Sequence, residues 1–209
     1  MEIKFANYNK KIKGNHVLRD INLQVESGLT LGIYGRNASG KTMLLRAVAG
    51  LILPTTGSVS VNGKAITQHN RFNESVGIVI EQTELWPHLT ALETLQYINS
   101  FNQKATQEEI IHWLEKVGLE PNSRKIVKTF SLGMKQKLAL AQAFFFEPDL
   151  ILLDEPTNAL DEQSRLRIYN ILDEFKQKGK TIIIASHIKE DLAICERVVE
   201  IDAGSLKIL

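Results

Sequence analysis

The stretch GRNASGKTM, from Gly35 to Met43, has the residue types and spacing of a loop that holds phosphate groups. A glycine loop before a helix lets several backbone N–H groups point at phosphate oxygens, and the helix N-terminus adds partial positive charge. Lys41 is then expected to reach the β- and γ-phosphates of a nucleotide, and the Thr42 hydroxyl to bind Mg²⁺. The predicted nucleotide contacts are Gly35, Arg36, Asn37, Ala38, Ser39, Gly40, Lys41, Thr42 and Met43.

Two positions depart from the commonest form of this loop. Ala38 stands where a glycine often occurs, and we expect it to be tolerated if its φ angle is negative. Met43 stands where a hydroxyl residue often occurs, so one contact to the α-phosphate is lost while the backbone N–H groups remain. The alternative is a chance glycine turn, but the predicted strand before the loop and helix after it favour a phosphate site.

An apolar segment that ends in two acids provides a second set of chemical groups. Leu150 to Leu153 form the segment, and Asp154 and Glu155 follow at once. In an α/β sheet, the carboxyl ends of the strands lie where ligands bind. Asp154 is therefore predicted to hold Mg²⁺ through water, and Glu155 to orient or deprotonate an attacking water. The alternative is an ordinary strand followed by a solvated turn.

Hydrophobic periodicity and turn residues predict the elements that must position these groups. Buried strands are predicted at 29–34, 76–80, 149–154 and 181–187, with a hairpin turn at Asn62-Gly63. Helices are predicted from Lys41 to Gly50, after the capping boxes Thr90-x-x-Glu93 and Thr106-x-x-Glu109, over 131–146, and from Asp161 to Gly179. The pattern predicts one α/β domain over residues 1–209, with a mainly parallel sheet, a small antiparallel part and an inserted helical subdomain at about 89–146.

Composition excludes several classes of protein. The chain has 209 residues, 44% of them hydrophobic and 23% charged, as in an ordinary globular domain. A net charge of +1 gives no basic field for nucleic acid, so no nucleic-acid partner is expected. The single cysteine, Cys195, rules out an intrachain disulfide and favours a reducing compartment. No signal-peptide core or membrane-spanning apolar run is evident, so a cytoplasmic location is expected.

The segment FSLGMKQKLALAQAFFFEPDLILLDEPTNALD, starting at Phe130, closely resembles the signature region of ABC ATPases. Motifs of this family follow in order along nearly the whole chain, which implies a P-loop ATPase core that hydrolyses ATP with Mg²⁺. In the family, a Ser-Gly signature at a helix N-terminus contacts the γ-phosphate held by the opposite subunit. The resemblance assigns that role to Ser131 and Gly133, whereas Leu132 and Met134 depart from the usual signature.

The same resemblance assigns three further residues. Asp161 lies in the match to the D-loop, which crosses the dimer interface in the family, and it also suits a helix N-cap. His187 matches the switch histidine that hydrogen-bonds the γ-phosphate, although a histidine after a strand is often structural. Tyr8 matches the aromatic residue that stacks on adenine, with simple packing as its alternative.

The loop after the strand at 76–80 is the most informative departure from the family pattern. Most relatives have a glutamine there that contacts Mg²⁺ and senses the membrane partner. Counting back from Trp86 and Pro87 puts Glu81 in that position and Gln82 one residue later, so both are candidates for the metal site. A glutamate at this place resembles a bacterial subgroup that includes bacitracin-type antibiotic exporters.

The resemblance implies the ATP-binding subunit of an ABC transporter, which works in pairs, as a homodimer or with a second such subunit. It would act through separate multi-span permease subunits at the cytoplasmic face of a membrane. Export is favoured by Glu81 and by the short segment after His187. A soluble ABC-type ATPase, such as one for iron–sulfur assembly, is the alternative. A small-molecule P-loop kinase would leave the signature, the D-loop match and His187 unexplained.

Overall fold

The computed structural model describes residues 1–69, 75–80, 85–102 and 104–208. The strands in this part of the chain are β1 (Ile3–Ile12), β2 (Asn15–Val25), β3 (Thr30–Tyr34), β4 (Thr56–Val61), β5 (Lys64–Ala65), β6 (Val76–Val79), β7 (Leu150–Asp154), β8 (Thr181–Ser186), β9 (Arg197–Asp202) and β10 (Ser205–Ile208). The α-helices are α1 (Lys41–Val48), α2 (Ala91–Asn102), α3 (Gln107–Val117), α4 (Leu132–Phe144) and α5 (Glu162–Gln177), and short 3₁₀ helices lie at Val127–Thr129 and Glu190–Leu192. None of these helices is both long enough and apolar enough to cross a bilayer.

A six-stranded sheet in the order β10-β9-β3-β8-β7-β6 forms the centre of the fold. The five strands from β9 to β6 are parallel, and only β10 pairs in the antiparallel sense. The predicted α/β fold with a mainly parallel sheet is thus confirmed. Because parallel strands end at the same edge, the residues that follow β3, β7 and β8 are brought close together.

The second sheet is antiparallel and has the order β2-β1-β4-β5. The predicted turn at Asn62-Gly63 joins β4 to β5, and both residues have the positive φ angles that such a turn requires. The sequence pattern did not delimit β1 and β2. Their pairing contains several register shifts, one of them between Phe5 and Tyr8, and these break the alternation that marks a strand.

The central sheet is buried on both faces, which explains why its strands are continuous apolar runs. Ile151 and Leu153 of β7 pack into a cluster with helices α2 to α5. Leu150 and Leu152 point to the other face and pack with α1 and the antiparallel sheet. Side chains that alternate along one strand therefore hold two different layers against it.

Local capping starts the helices of the inserted part where the sequence predicts. The Thr90 N–H donates to Glu93 Oε2 over 2.8 Å, and the Glu93 N–H donates back to Thr90 Oγ1 over 3.2 Å. Thr106 and Glu109 form the same reciprocal pair at 2.7 and 3.2 Å. Gly118 ends α3 in the left-handed conformation. Four orphan N–H groups at each helix start are thereby partly satisfied.

An aromatic stack joins the helical part to the helix that follows β7. The Trp113 ring of α3 lies nearly parallel to the Phe175 ring of α5, with centroids 5.6 Å apart and an interplanar angle of 7°. Phe144 of α4 closes the group at 5.9 Å from Trp113. Trp113 is only 4% exposed, so its ring contributes mainly through buried apolar contact.

We expect Trp113→Ala to lower the free energy of unfolding by about 3–5 kcal/mol, because it leaves a cavity between three helices. Urea unfolding followed by circular dichroism measures the change. Trp86→Ala is the matched control, since the Trp86 side chain is 39% exposed. A Trp113→Ala loss no larger than that of the control would contradict this account of how the helices are held together.

Candidate nucleotide-binding site

A cavity of about 510 Å³ lies where β3 and β7 end, within the range of small-ligand sites. Residues 37–43 of the glycine loop line it together with Asp154 and Glu155. The remaining lining residues are His16, Val17 and Arg19 of β2, and Ala203 and Gly204 of the turn between β9 and β10. The two motifs that the sequence singled out therefore share one cavity.

The glycine loop is packed tightly and leaves the start of α1 uncovered. A Cβ atom on Gly35 would lie 2.5 Å from the Ile201 carbonyl oxygen and 2.6 Å from Ser39 Oγ, so only glycine fits there. Gly40 is the N-cap of α1 and provides no side-chain hydrogen bond to the first turn. The first N–H groups of α1 are consequently available to an anion in the cavity.

Ala38 corrects one expectation from the sequence. Its φ angle is +62°, in the left-handed region, so the negative angle under which alanine was expected to be tolerated is not present. The loop turns back at this point, with the Ser39 N–H donating to the Arg36 carbonyl over 3.2 Å. This conformation is sterically strained for alanine because of its Cβ atom, and it would not be strained for glycine. Met43, the other departure, packs its side chain against the apolar cluster beneath α1.

Lys41 is buried and held by its own loop. Its side chain is 6% exposed, and Nζ donates to the carbonyl oxygens of Gly35 at 2.7 Å and Arg36 at 3.1 Å. The same ammonium lies 3.3 Å from Glu155 Oε1. Phosphate oxygens that enter the cavity would compete for this ammonium with two neutral carbonyls and one carboxylate.

Thr42 and Asp154 lie in direct contact. Thr42 Oγ1 donates to Asp154 Oδ2 over 2.5 Å, and Asp154 is 8% exposed. A hydroxyl oxygen beside a carboxylate oxygen is the hard-oxygen donor set that Mg²⁺ prefers, and Mg²⁺ is commonly held by one or two protein ligands plus substrate phosphates. The residues present therefore fit a Mg²⁺ ion between the loop and β7.

Glu155 is fixed between Lys41 and His187. Its φ angle is +48°, and its N–H donates to the Ala185 carbonyl of β8 over 2.8 Å. Oε2 lies 2.8 Å from His187 Nδ1. A strained backbone that is held by neighbouring structure is common at functional sites. Lys41, Thr42, Asp154, Glu155 and His187 are thus brought together, as the sequence predicts.

The signature residues lie outside the cavity lining found among the described residues. Ser131 is the N-cap of α4, and its Oγ accepts the Met134 N–H over 3.2 Å. Gly133 is packed so closely that a Cβ would lie 2.8 Å from the Ala159 carbonyl oxygen. Gln136 donates to the Pro156 carbonyl over 2.9 Å. The start of α4 is therefore seated on the loop that leads from β7 to α5.

Asp161 caps α5, as the sequence predicts. Its Oδ1 accepts the Ser164 N–H over 2.8 Å, and this hydrogen bonding holds the pKa of the Asp161 carboxyl below its usual value. An ionised cap also interacts well with the positive end of the helix. Its predicted contact across a dimer interface stays a prediction.

Tyr8 is a second correction. Its side chain is 0% exposed and packs edge-to-face on Phe5, with ring centroids 5.3 Å apart. The hydroxyl reaches the Ile52 carbonyl at 3.4 Å, and burial raises the pKa of Tyr8 to about 12. The structure therefore assigns Tyr8 to packing and not to adenine stacking. The other open question, the choice between Glu81 and Gln82, falls outside the described residues.

His16 and Arg19 line the cavity but were not predicted. Desolvation, Lys11 and Arg19 lower the pKa of His16, which disfavours the protonated form of its exposed ring. Arg19 is held near the loop because its backbone N–H donates to the Gly204 carbonyl over 2.7 Å. Both residues lie on β2, and their position at the cavity depends on contacts with the far end of the chain.

Comparison with known proteins gave matches in sequence and in structure. The sequence profile of a family described as "ABC transporter" matches residues 18–158. The Bacillus subtilis (strain 168) protein "Uncharacterized ABC transporter ATP-binding protein YybJ" is 43% identical over 206 residues, which are 98% of this chain and 94% of YybJ. "Spermidine/putrescine import ATP-binding protein PotA" of Fusobacterium nucleatum is 33% identical over 210 residues, covering 98% of this chain and 56% of PotA.

Two solved structures of one protein share the fold. The dimeric structure of MJ0796, titled a bacterial ABC transporter cassette, matches with a TM-score of 0.90 and 26% identity over 98% of this chain and 96% of that one. A dimeric structure of MJ0796 in a post-hydrolysis state, bound to ADP and Pi, matches with a TM-score of 0.89 and 25% identity over 99% and 98%.

We expect Ala38→Gly to raise the free energy of unfolding by about 0.5–1 kcal/mol. Relief of the left-handed strain contributes about 1–2 kcal/mol, and the greater freedom of glycine in the unfolded chain offsets about 0.4–1 kcal/mol of this. Urea unfolding checks the sign. Ala139→Gly in α4 is the control and should lose about 1 kcal/mol or more. A loss for Ala38→Gly would show that the loop conformation differs from the one described.

Proposed function

Because the chain belongs to the family of ABC transporter ATP-binding proteins, we propose that it hydrolyses ATP to drive transport through separate multi-span membrane subunits. The observation that carries the proposal is the meeting of a loop ammonium, a hydroxyl, two carboxylates and an imidazole at one sheet edge. These groups are Lys41, Thr42, Asp154, Glu155 and His187. The family match and the MJ0796 structure with ADP and Pi identify the chemistry as ATP hydrolysis.

We assign the roles in hydrolysis from the contacts of each side chain. Lys41 would exchange its bonds to Gly35 and Arg36 for the β- and γ-phosphates and neutralise their charge. Thr42 and Asp154 would hold Mg²⁺, which supplies further positive charge to the phosphates. When Lys41 turns to the phosphates, its ion pair with Glu155 breaks. The Glu155 carboxylate is then available to orient or deprotonate the attacking water, with His187 hydrogen-bonded beside it.

A second copy of the chain completes the proposed site. Ser131 and Gly133 lie at the start of α4, where Ser131 is exposed, away from the cavity of their own subunit. A helix N-terminus with a hydroxyl is suited to an anion, and a two-fold pair would place each signature helix over the partner's nucleotide. The matching MJ0796 structures are dimeric, which supports this arrangement.

For the membrane partner and direction, we propose docking onto permease subunits at the cytoplasmic face and transport outward. Outward transport depends on the sequence match of Glu81 to exporter-type loops. Relatedness alone favours neither direction, because PotA, at 33% identity, is named an import protein. The residues that select the cargo would lie in the permease.

We expect Lys41→Ala to lower ATP hydrolysis by about 100-fold or more, because the charge that stabilises the transferring phosphate is removed. Phosphate release by the purified full chain is the measurement, with circular dichroism to confirm folding. Lys64→Ala, a change of the same kind on the exposed surface of β5, should keep the parent rate. Equal rates for Lys41→Ala and the parent, with contaminating ATPases removed, would refute the assignment of the loop.

We expect Glu155→Gln to bind ATP without hydrolysing it, so that Mg-ATP holds two copies together. Light scattering should show a doubled mass with Mg-ATP and a single mass without it. Adding Ser131→Arg should abolish the doubling, because the long, charged arginine side chain obstructs the start of α4. Ser100→Arg on the exposed surface of α2 is the control and should leave the doubling intact. A mass unchanged by bound ATP would argue against pairing by this chain alone.

A further inference from the structure

Asp191 is a buried carboxylate that the proposed hydrolysis does not yet use. It lies in the 3₁₀ helix Glu190–Leu192 and is 1% exposed. Three hydroxyl groups donate to it: Thr157 Oγ1 at 2.5 Å and the Tyr169 hydroxyl at 2.7 Å to Oδ1, and Ser186 Oγ at 2.6 Å to Oδ2. Asp191 is not among the residues that line the nucleotide cavity.

The three hydroxyls belong to three different segments of the site. Thr157 lies two residues after Glu155. It belongs to the same loop as Ala159, whose carbonyl oxygen packs against Gly133. Ser186 is the last residue of β8 and directly precedes His187. Tyr169 is on α5. One carboxylate therefore joins the loop of Glu155, the loop of His187 and a helix.

Hydroxyl donors stabilise the Asp191 charge. None of the ion pairs found among the described residues includes Asp191, so the charge is compensated by short hydrogen bonds to neutral groups. Burial, with the hydrogen bond to Asp191 as the next cause, raises the pKa of Tyr169 to about 12, which keeps its hydroxyl a donor. A buried carboxylate that lost these donors would be unstable, so the three segments are held to it firmly.

Ser186 links this network to the catalytic pair. Its Oγ accepts the Ile188 N–H over 3.0 Å and lies 2.6 Å from Asp191 but 3.2 Å from Glu155 Oε2. A hydroxyl has one proton, and the shorter distance assigns it to Asp191. Glu155 Oε2 then keeps its short contact with His187 Nδ1 at 2.8 Å.

We propose that Asp191 is a positioning residue for ATP hydrolysis, which acts by fixing Ser186 and Thr157 so that His187 and Glu155 keep their mutual geometry. The inference rests on the proposed function, since it concerns the same site. Nucleotide binding depends on the glycine loop and α1, which Asp191 does not touch. Loss of Asp191 should therefore slow hydrolysis much more than it weakens binding.

The experiment compares steady-state ATP hydrolysis and nucleotide binding by the purified full chain. Asp191→Asn should lower kcat by about 10-fold to 100-fold, the effect of displacing a reacting group by a fraction of an ångström to one ångström. The Kd for a fluorescent ATP analogue should change by less than about threefold, because no contact of the phosphate loop is lost. Ser186→Ala should lower kcat in the same way.

Tyr169→Phe is the matched control. It also removes one hydrogen bond to Asp191 and should lower the melting temperature, but it leaves both loops attached, so kcat should stay within about twofold of the parent. The double variant with Asp191→Asn and Ser186→Ala should be little slower than Asp191→Asn alone, because both changes break one link.

Any of the following results would overturn the inference. Tyr169→Phe could slow hydrolysis as much as Asp191→Asn, which would show general destabilisation. Asp191→Asn could keep the parent kcat, or could weaken nucleotide binding as much as it slows turnover. If Asp191→Asn does not fold, the milder Ser186→Ala decides, and an unchanged kcat for it would refute the link. A parent chain that hydrolyses no ATP would instead refute the proposed function.

Discussion

The parallel pairing of β3, β8 and β7 is the constraint on which the site depends. Tyr34 pairs with Ser186, and Asp154 pairs with Ala185, so the three strands end at nearly the same level. The residues that come next along each strand, the glycine loop, Glu155 and His187, therefore meet without any long connection. A slip of one residue in either pairing would turn the side chains to the opposite face and separate the ammonium from the carboxylates.

The charges within the site are balanced so that the Lys41 ammonium can exchange its present partners for phosphate. Three acidic side chains lie close to the sheet edge, and hydroxyl groups satisfy much of their hydrogen bonding: Thr42 contacts Asp154, and Ser186 is one of three donors to Asp191. Lys41 makes one ion pair and two bonds to neutral carbonyls. Because neutral carbonyls compete weakly with phosphate for an ammonium, the anion of a nucleotide can displace them.

Structural features that depend only on neighbouring residues along the chain could be predicted from the sequence. The capping box at Thr106, the hairpin at Asn62-Gly63 and the apolar strand before Asp154 were all confirmed, since each is defined within a few residues. The φ angle of Ala38 is not the negative one under which alanine was expected to be tolerated, and Tyr8 is packed in the core, which was the alternative to its expected adenine stacking. The first depends on a loop pressed against Ile201 far along the chain, and the second on register shifts between two strands.

The strand order also decides when during synthesis the nucleotide site can form. β3, which carries the glycine loop, has β8 and β9 as its two neighbours, and both are made about 150 or more residues later, at Thr181–Ser186 and Arg197–Asp202. Gly35 itself rests on Ile201 of β9. An emerging chain therefore has the loop sequence long before it has the support that shapes it. The loop therefore takes the shape described here only after β8 and β9 have joined the central sheet.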